Sequence, residues 1–288
     1  MNFLYIIYKI SFGFSPLTVK RSDFFNFSRT FAPMKFGICP LSMSPVRVKP
    51  DDTSEMVSQL LFGETFEVLK KKRKWLKIRC TLDAYEGWID RKQALEIGTA
   101  TQKSPAYSLE LTQAAMTDHH YLPIMMGSTL PDYDGMRFKF NKQAYTFSGQ
   151  TINPADTPPS RELVVKIARK YLFAPYLWGG RSPFGIDCSG YTQVVYKMLG
   201  INLKRDASQQ VEQGETLNFI EEALPGDLAF FENKEGKVIH VGIVLPESEI
   251  IHASGQVRID RLDHQGIYDR KKRKYTHQLR IVKRVLMS

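Results

Sequence analysis

Asp187-Cys188-Ser189-Gly190-Tyr191-Thr192-Gln193-Val194-Val195 opens a helical pattern on a cysteine. Tyr191, Val194, Val195, Met198 and Leu199 fall at i, i+3, i+4, i+7 and i+8, and Gly200 can end the helix. A thiol at that position meets the free N–H groups and partial positive charge of a helix N-terminus, which favour thiolate over thiol. That is the setting a cysteine nucleophile needs.

Downstream, Leu228 to Phe231, Val241 to Leu245 and Ile250-Ile251 are short β-branched and aromatic runs broken by turns, so they read as strands. Pro246-Glu247-Ser248 fits a three-residue hairpin loop. Leu245 then faces Glu249, and Gly242 faces His252, leaving room for its ring. Alternation along the strands puts His240 and His252 on one face, a diagonal apart. The result is a Cys–His–His constellation, with His240 as base and His252 as its orienting partner. The same residue types also ligate zinc, but no C-x-x-C or H-x-x-x-H spacing accompanies them, so no metal and no cofactor is expected.

The segments Tyr176-Leu177-Trp178-Gly179-Gly180, Gly185-Ile186-Asp187-Cys188-Ser189-Gly190 and Arg205-Asp206-Ala207-Ser208-Gln209-Gln210 together resemble the NlpC/p60 cysteine peptidases. Pro225-Gly226-Asp227-Leu228 and the stretch from His240 to Ser254 continue the likeness, which covers about residues 160–286 in order. The resemblance implies a papain-like α+β catalytic fold that cuts peptide bonds of bacterial cell-wall peptides. By position it makes Cys188 the nucleophile, His240 the general base and His252 the third polar residue. Tyr176 matches the tyrosine near the nucleophile and the oxyanion site. Asp187, Ser189, Arg205, Asp206 and Ser208 would bind the substrate's carboxylates and amide, although Asp187 can instead cap the helix that starts at Cys188. Tyr176 and Trp178 either line the cleft or belong to the core. Ser160 can cap a helix running to about Phe173, and a last strand is expected over Leu279 to Leu286.

Upstream the pattern changes. From about Val46 to Ile97 short strands follow one another, with Leu76, Ile78 and Cys80 alternating against Lys77 and Arg79. This resembles a bacterial SH3-like barrel. Residues 98–157 read as a second, degenerate module with a hairpin around Asn141-Lys142. The expected organisation is a non-native or disordered extension (1–33), two small all-β SH3-like barrels (34–97 and 98–157) and the α+β peptidase (158–288). Tandem modules before such a domain resemble the γ-D-glutamyl-L-diamino acid endopeptidases of murein peptides. In that subgroup the first module closes one end of the cleft, an acidic residue and a tyrosine meeting the substrate's free amino terminus. Glu64 and Tyr85 occupy the comparable places, and Glu86 competes with Glu64 for the role.

The formal charge of +10 includes +3 from residues 1–33, where Lys9, Lys20, Arg21 and Arg29 stand against Asp23 alone. The runs Lys70 to Lys74 and Arg270 to Lys274 read as solvated hairpin tips, and no groove-reading motif accompanies them, so nucleic acid is not an expected partner. Murein-derived peptides are, with no membrane span and no obligate protein partner. Three cysteines give no disulfide framework. Residues 1–33 make a poor signal peptide, because Lys9 interrupts the apolar stretch and no small-x-small site follows. Met34 is the expected start, and a cytoplasmic recycling role is favoured over export to the envelope. Two other classes stand against the peptidase: a wall-binding protein with an inactive peptidase domain, and a cysteine amidase or acyltransferase.

Overall fold

Residues 35–99 and 105–286 are described by the computed structural model. The expected dispensable extension, residues 1–33, and the expected start at Met34 lie outside them. Alternation works as predicted in Trp75–Cys80, where Leu76, Ile78 and Cys80 are buried and Arg79 faces solvent. Seven strands pair in the order Met56–Leu61, Met43–Arg47, Glu86–Asp90, Trp75–Cys80, Thr65–Lys71, Phe36–Ile38 and Leu95–Ile97. They wrap a core that includes Val46, Phe66, Leu76 and Ile78.

A second all-β unit follows, built from one sheet of four strands and one of three. Its hairpin pairs Arg137–Phe140 with Gln143–Thr146. Asn141 and Lys142 both take positive φ (47° and 65°), the geometry a two-residue turn needs to match strand twist. The aromatic rings of Phe138, Phe140, Tyr145 and Phe147 fill its core, together with Phe62 from the first unit.

Helices then precede strands, the α+β arrangement expected. The first helix, α1 (Arg161–Lys170), is capped by Ser160 Oγ, which accepts from the Leu163 N–H at 3.2 Å. It stops short of Phe173 because that residue has φ +71° and donates its N–H to Val257 O. The second, α2 (Cys188–Lys197), is buried along its whole length. A third, α3 (Ala207–Gln210), is one turn long. The last strand begins at Lys274, not Leu279, and ends at Arg284. It lies between Glu215–Leu217 and Leu228–Glu232 and also pairs with Gly266–Asp269. The run Leu228–Glu232, Val238–Leu245, Glu249–Ser254, Gln256–Asp263, Gly266–Asp269 and Lys274–Arg284 therefore closes on itself, which removes its free edges. One face of this ring (Leu228, Phe230, Val241, Ile243) packs on α1 and α2, and the other (Ala229, Phe231, Val244, Ile250) faces its interior. No helix among the described residues is long and apolar enough to cross a membrane.

Candidate active site

The site is assembled where the start of α2 meets the strand Val238–Leu245. Asp187 precedes the helix in extended conformation and caps it, Oδ1 accepting from the Gly190 N–H at 2.6 Å and Oδ2 from the Gly179 N–H at 2.9 Å. That holds Cys188 at the first helical position, 7% exposed. Its sulfur takes backbone N–H groups from Ser189 and from Val241, the residue after His240. Among the described residues no hydrogen bond joins the sulfur to His240; such contacts commonly tighten only when substrate binds.

The two histidines meet as their register requires. Gly242 opposes His252 and Leu245 opposes Glu249, and His240 Nε2 lies 2.8 Å from His252 Nδ1. Two residues the sequence reading missed complete the cluster. Asp260 Oδ2 accepts from His252 Nε2 at 3.0 Å, and the His277 ring stacks on His240 with centroids 4.3 Å apart. Following the register one strand further would have found Asp260, because Ile250 opposes it and His252 is its diagonal neighbour. Burial, above the neighbouring His252 and His277 charges, pushes His240 well below the ordinary histidine value. Burial first, then the Asp187 charge, pushes the Cys188 thiol up to about 12. Desolvation thus opposes the pull of the helix terminus on the thiol.

Other expected site residues divide. Tyr85, Trp178, Ser189, Asp206 and Ser208 line a cleft of about 490 Å³ beside Cys188. Tyr85 donates to Asp206, whose carboxyl is pushed up by burial against the Arg205 charge. Trp178 is 60% exposed and Tyr176 37%, so neither is a core residue. Burial pushes the Tyr176 phenol up to about 12, and Cys188 and Asp187 lie near it.

Three assignments need correction. Glu64 is buried, and both its oxygens are taken, by Arg181 (2.7 and 2.9 Å), Lys197 (2.7 Å) and the Leu61 N–H (2.9 Å). It lines a different cavity, of about 390 Å³, and cannot meet a substrate at Cys188. Glu86 is exposed and ion-paired to Lys77 and Arg79 on the module surface. Asp187, which also lines the cleft, takes its other expected role as the helix cap; Arg205 is 1% exposed and spends its guanidinium on Asp187, Ser189 and Ser58, which leaves it none for a substrate carboxylate. The carboxylate of the first all-β unit that does face the cleft is Glu55, whose Oε1 accepts from Trp178 Nε1 at 2.7 Å. It sits in a loop, and no periodicity marked it out.

Two stretches of the chain match known protein families. Residues 174–276 match the NlpC/P60 family, and residues 46–93 match the bacterial dipeptidyl-peptidase Sh3 domain. The chain is 27% identical over 230 residues to a γ-D-glutamyl-L-lysine dipeptidyl-peptidase of Bacillus cereus, covering 70% of this chain and 68% of that one. It is 27% identical over 254 residues to dipeptidyl-peptidase 6 of Lysinibacillus sphaericus, covering 77% and 90%. In fold it is similar to a crystal structure of an NlpC/P60 family protein from Bacillus cereus, with TM-score 0.74 and 21% identity over 88% of this chain and 100% of that one.

Proposed function

Because the chain joins an NlpC/P60 domain to a bacterial dipeptidyl-peptidase SH3 domain, we propose that it is a cysteine endopeptidase of murein peptides. It hydrolyses the γ-D-glutamyl-L-diamino acid bond of wall peptides that carry a free N-terminal L-Ala, in their turnover or recycling. The observation that carries this reading is the composition of the cleft: Glu55 and Tyr85 come from the SH3 module, and Asp206 and Trp178 from the peptidase domain. Two carboxylates and a phenol beside the nucleophile suit an ammonium group, since charge-assisted hydrogen bonds are the strong ones. Glu55 takes the part first expected of Glu64. Residues 105–152 are read as a second, degenerate barrel, supported by their short antiparallel strands around one core.

The chemistry follows from the Cys188–His240 pair. Cys188 Sγ attacks the γ-carbonyl carbon of the D-glutamate as its proton passes to His240. The Cys188 N–H, with Tyr176 beside it, meets the developing oxyanion. Imidazolium His240 then protonates the leaving amine, the C–N bond breaks, and a thioester remains. Water, losing a proton to His240, releases the dipeptide and restores the thiol. Mass spectrometry of L-Ala-γ-D-Glu-diamino acid tripeptide, with its N-acetylated form and Cys188→Ala in parallel, tests this. Release of L-Ala-D-Glu from the free-amine peptide by wild type alone is expected, with the acetylated peptide cut far more slowly. An ammonium lost from a charged pair is worth roughly 1.5–3 kcal/mol, so acetylation should cost about 10–100-fold in kcat/KM. Equal cleavage of both peptides would remove Glu55, Tyr85 and Asp206 from the assignment.

A further inference from the structure

The direction of hydrogen bonding beneath the base is set from its far end. Arg258 Nη2 donates to Asp260 Oδ1 at 2.6 Å and lies 3.4 Å from Asp269 Oδ2, so Asp260 is held as an ion-paired acceptor. Its other oxygen lies 3.0 Å from His252 Nε2. A carboxylate only accepts, so the proton of neutral His252 sits on Nε2 and the lone pair on Nδ1. That lone pair faces His240 Nε2 at 2.8 Å, which must then be the donor. Neutral His240 is left with its own lone pair on Nδ1, the ring nitrogen nearer the backbone. Cys188 sulfur lies against that backbone, at the Val241 N–H.

We propose that Asp260 is a positioning residue that acts through His252: it holds His240 in the Nε2–H tautomer, so that Nδ1 is the nitrogen that takes the Cys188 proton. The opposite polarity would set two N–H groups or two lone pairs against each other at one of the junctions. His252 is 1% exposed and Asp260 9%, so bulk water does not replace either contact. When His240 becomes imidazolium the same chain keeps its direction, and no proton moves along it. The Asp260 charge then favours the cation that forms. His277 does not reverse this polarity: its ring stacks on His240, and its Nδ1 lies 2.9 Å from Thr276 Oγ1.

The inference rests on reading Cys188 as the nucleophile, and its test uses no peptide. Two-bond proton–nitrogen correlation spectra of the full chain labelled with ¹⁵N-histidine report each ring's tautomer. Wild type should show both His240 and His252 as Nε2–H. Asp260→Asn can turn its NH₂ toward His252 Nε2, and should move both rings to the Nδ1–H form. It should also slow alkylation of Cys188 by iodoacetamide. The corresponding change next to a single catalytic histidine costs about 10⁴-fold, and across two rings roughly 100-fold is expected. Asp260→Glu should recover the tautomers and most of the rate. A wild-type His240 in the Nδ1–H form overturns the proposal even if Asp260→Asn fails to fold. Unchanged tautomers and alkylation in a folded Asp260→Asn also overturn it. A chain with the expected tautomers that leaves the tripeptide intact would refute the substrate assignment and leave this one standing.

Discussion

Burial alone pushes the Glu64 carboxyl up; the Arg181 and Lys197 charges beside it outweigh that and hold it at about 2. A folded value depressed below the ordinary 4.5 means that Glu64 stabilises the fold above that pH, and that the contribution is lost as pH falls toward 2. Removing one partner of a buried ion pair leaves charge without compensation, so Glu64→Gln should cost roughly 3 kcal/mol near neutrality. Urea melts at several pH values check this: the gap between wild type and variant should be full above pH 4.5 and narrow below it. A gap that persists at pH 2 would sink the argument. At this scale the placement of Cys188, His240 and His252 is legible because a helix start and two strand periodicities are local patterns. Glu64 was misread because its partners Arg181 and Lys197 lie more than a hundred residues away in sequence. Nothing near a phenylalanine-glycine turn announces that a distant arginine will land on it.

The hairpin that carries both histidines depends on a missing side chain. A Cβ at Gly242 would stand 2.7 Å from Ile250 Cδ1 and 2.9 Å from His252 Cβ. Gly242→Ala must therefore shift the opposing strand just where His252 leans on His240. Overpacking of this kind costs about 1–3 kcal/mol, and here it falls on catalytic alignment. The expected result is a fall in kcat of about tenfold with KM little changed, and a lengthened His240–His252 contact in a crystal structure of the variant. Full activity with the contact kept at 2.8 Å would refute it. Hairpin loop and register could be read from sequence because a turn of fixed length pins every later pair. The last strand could not. Register shifts at Phe230/Phe231 and Ile267/Tyr268 break the period that would have tied Tyr275 and His277 to the sheet.

Across the molecule the hydrophobic cores ignore the sequence boundaries. Leu61, Met126 and Ile152 pack with α1 and α2 of the peptidase domain, and Ile38 and Phe62 pack with the second all-β unit. Arg181 adds hydrogen bonds to both the side chain and the backbone of Gln59 (2.8 and 2.6 Å). The described residues should thus unfold in one step: calorimetry and Cys188 accessibility ought to report a single coincident transition. Two separated transitions would mean that the modules are merely tethered. One consequence of the closed ring concerns birth rather than breakdown. The strand Lys274–Arg284 lies beside Leu228–Glu232 and brings His277 onto His240, yet it is made after every other strand of that ring. Domains fold as they emerge, N-terminal first, so the SH3 module with Glu55 and Tyr85 can be in place before that strand exists. On the function proposed above, the module that screens the substrate is thus made before the strand that completes the histidine cluster, so a chain with a finished cluster already carries its screen.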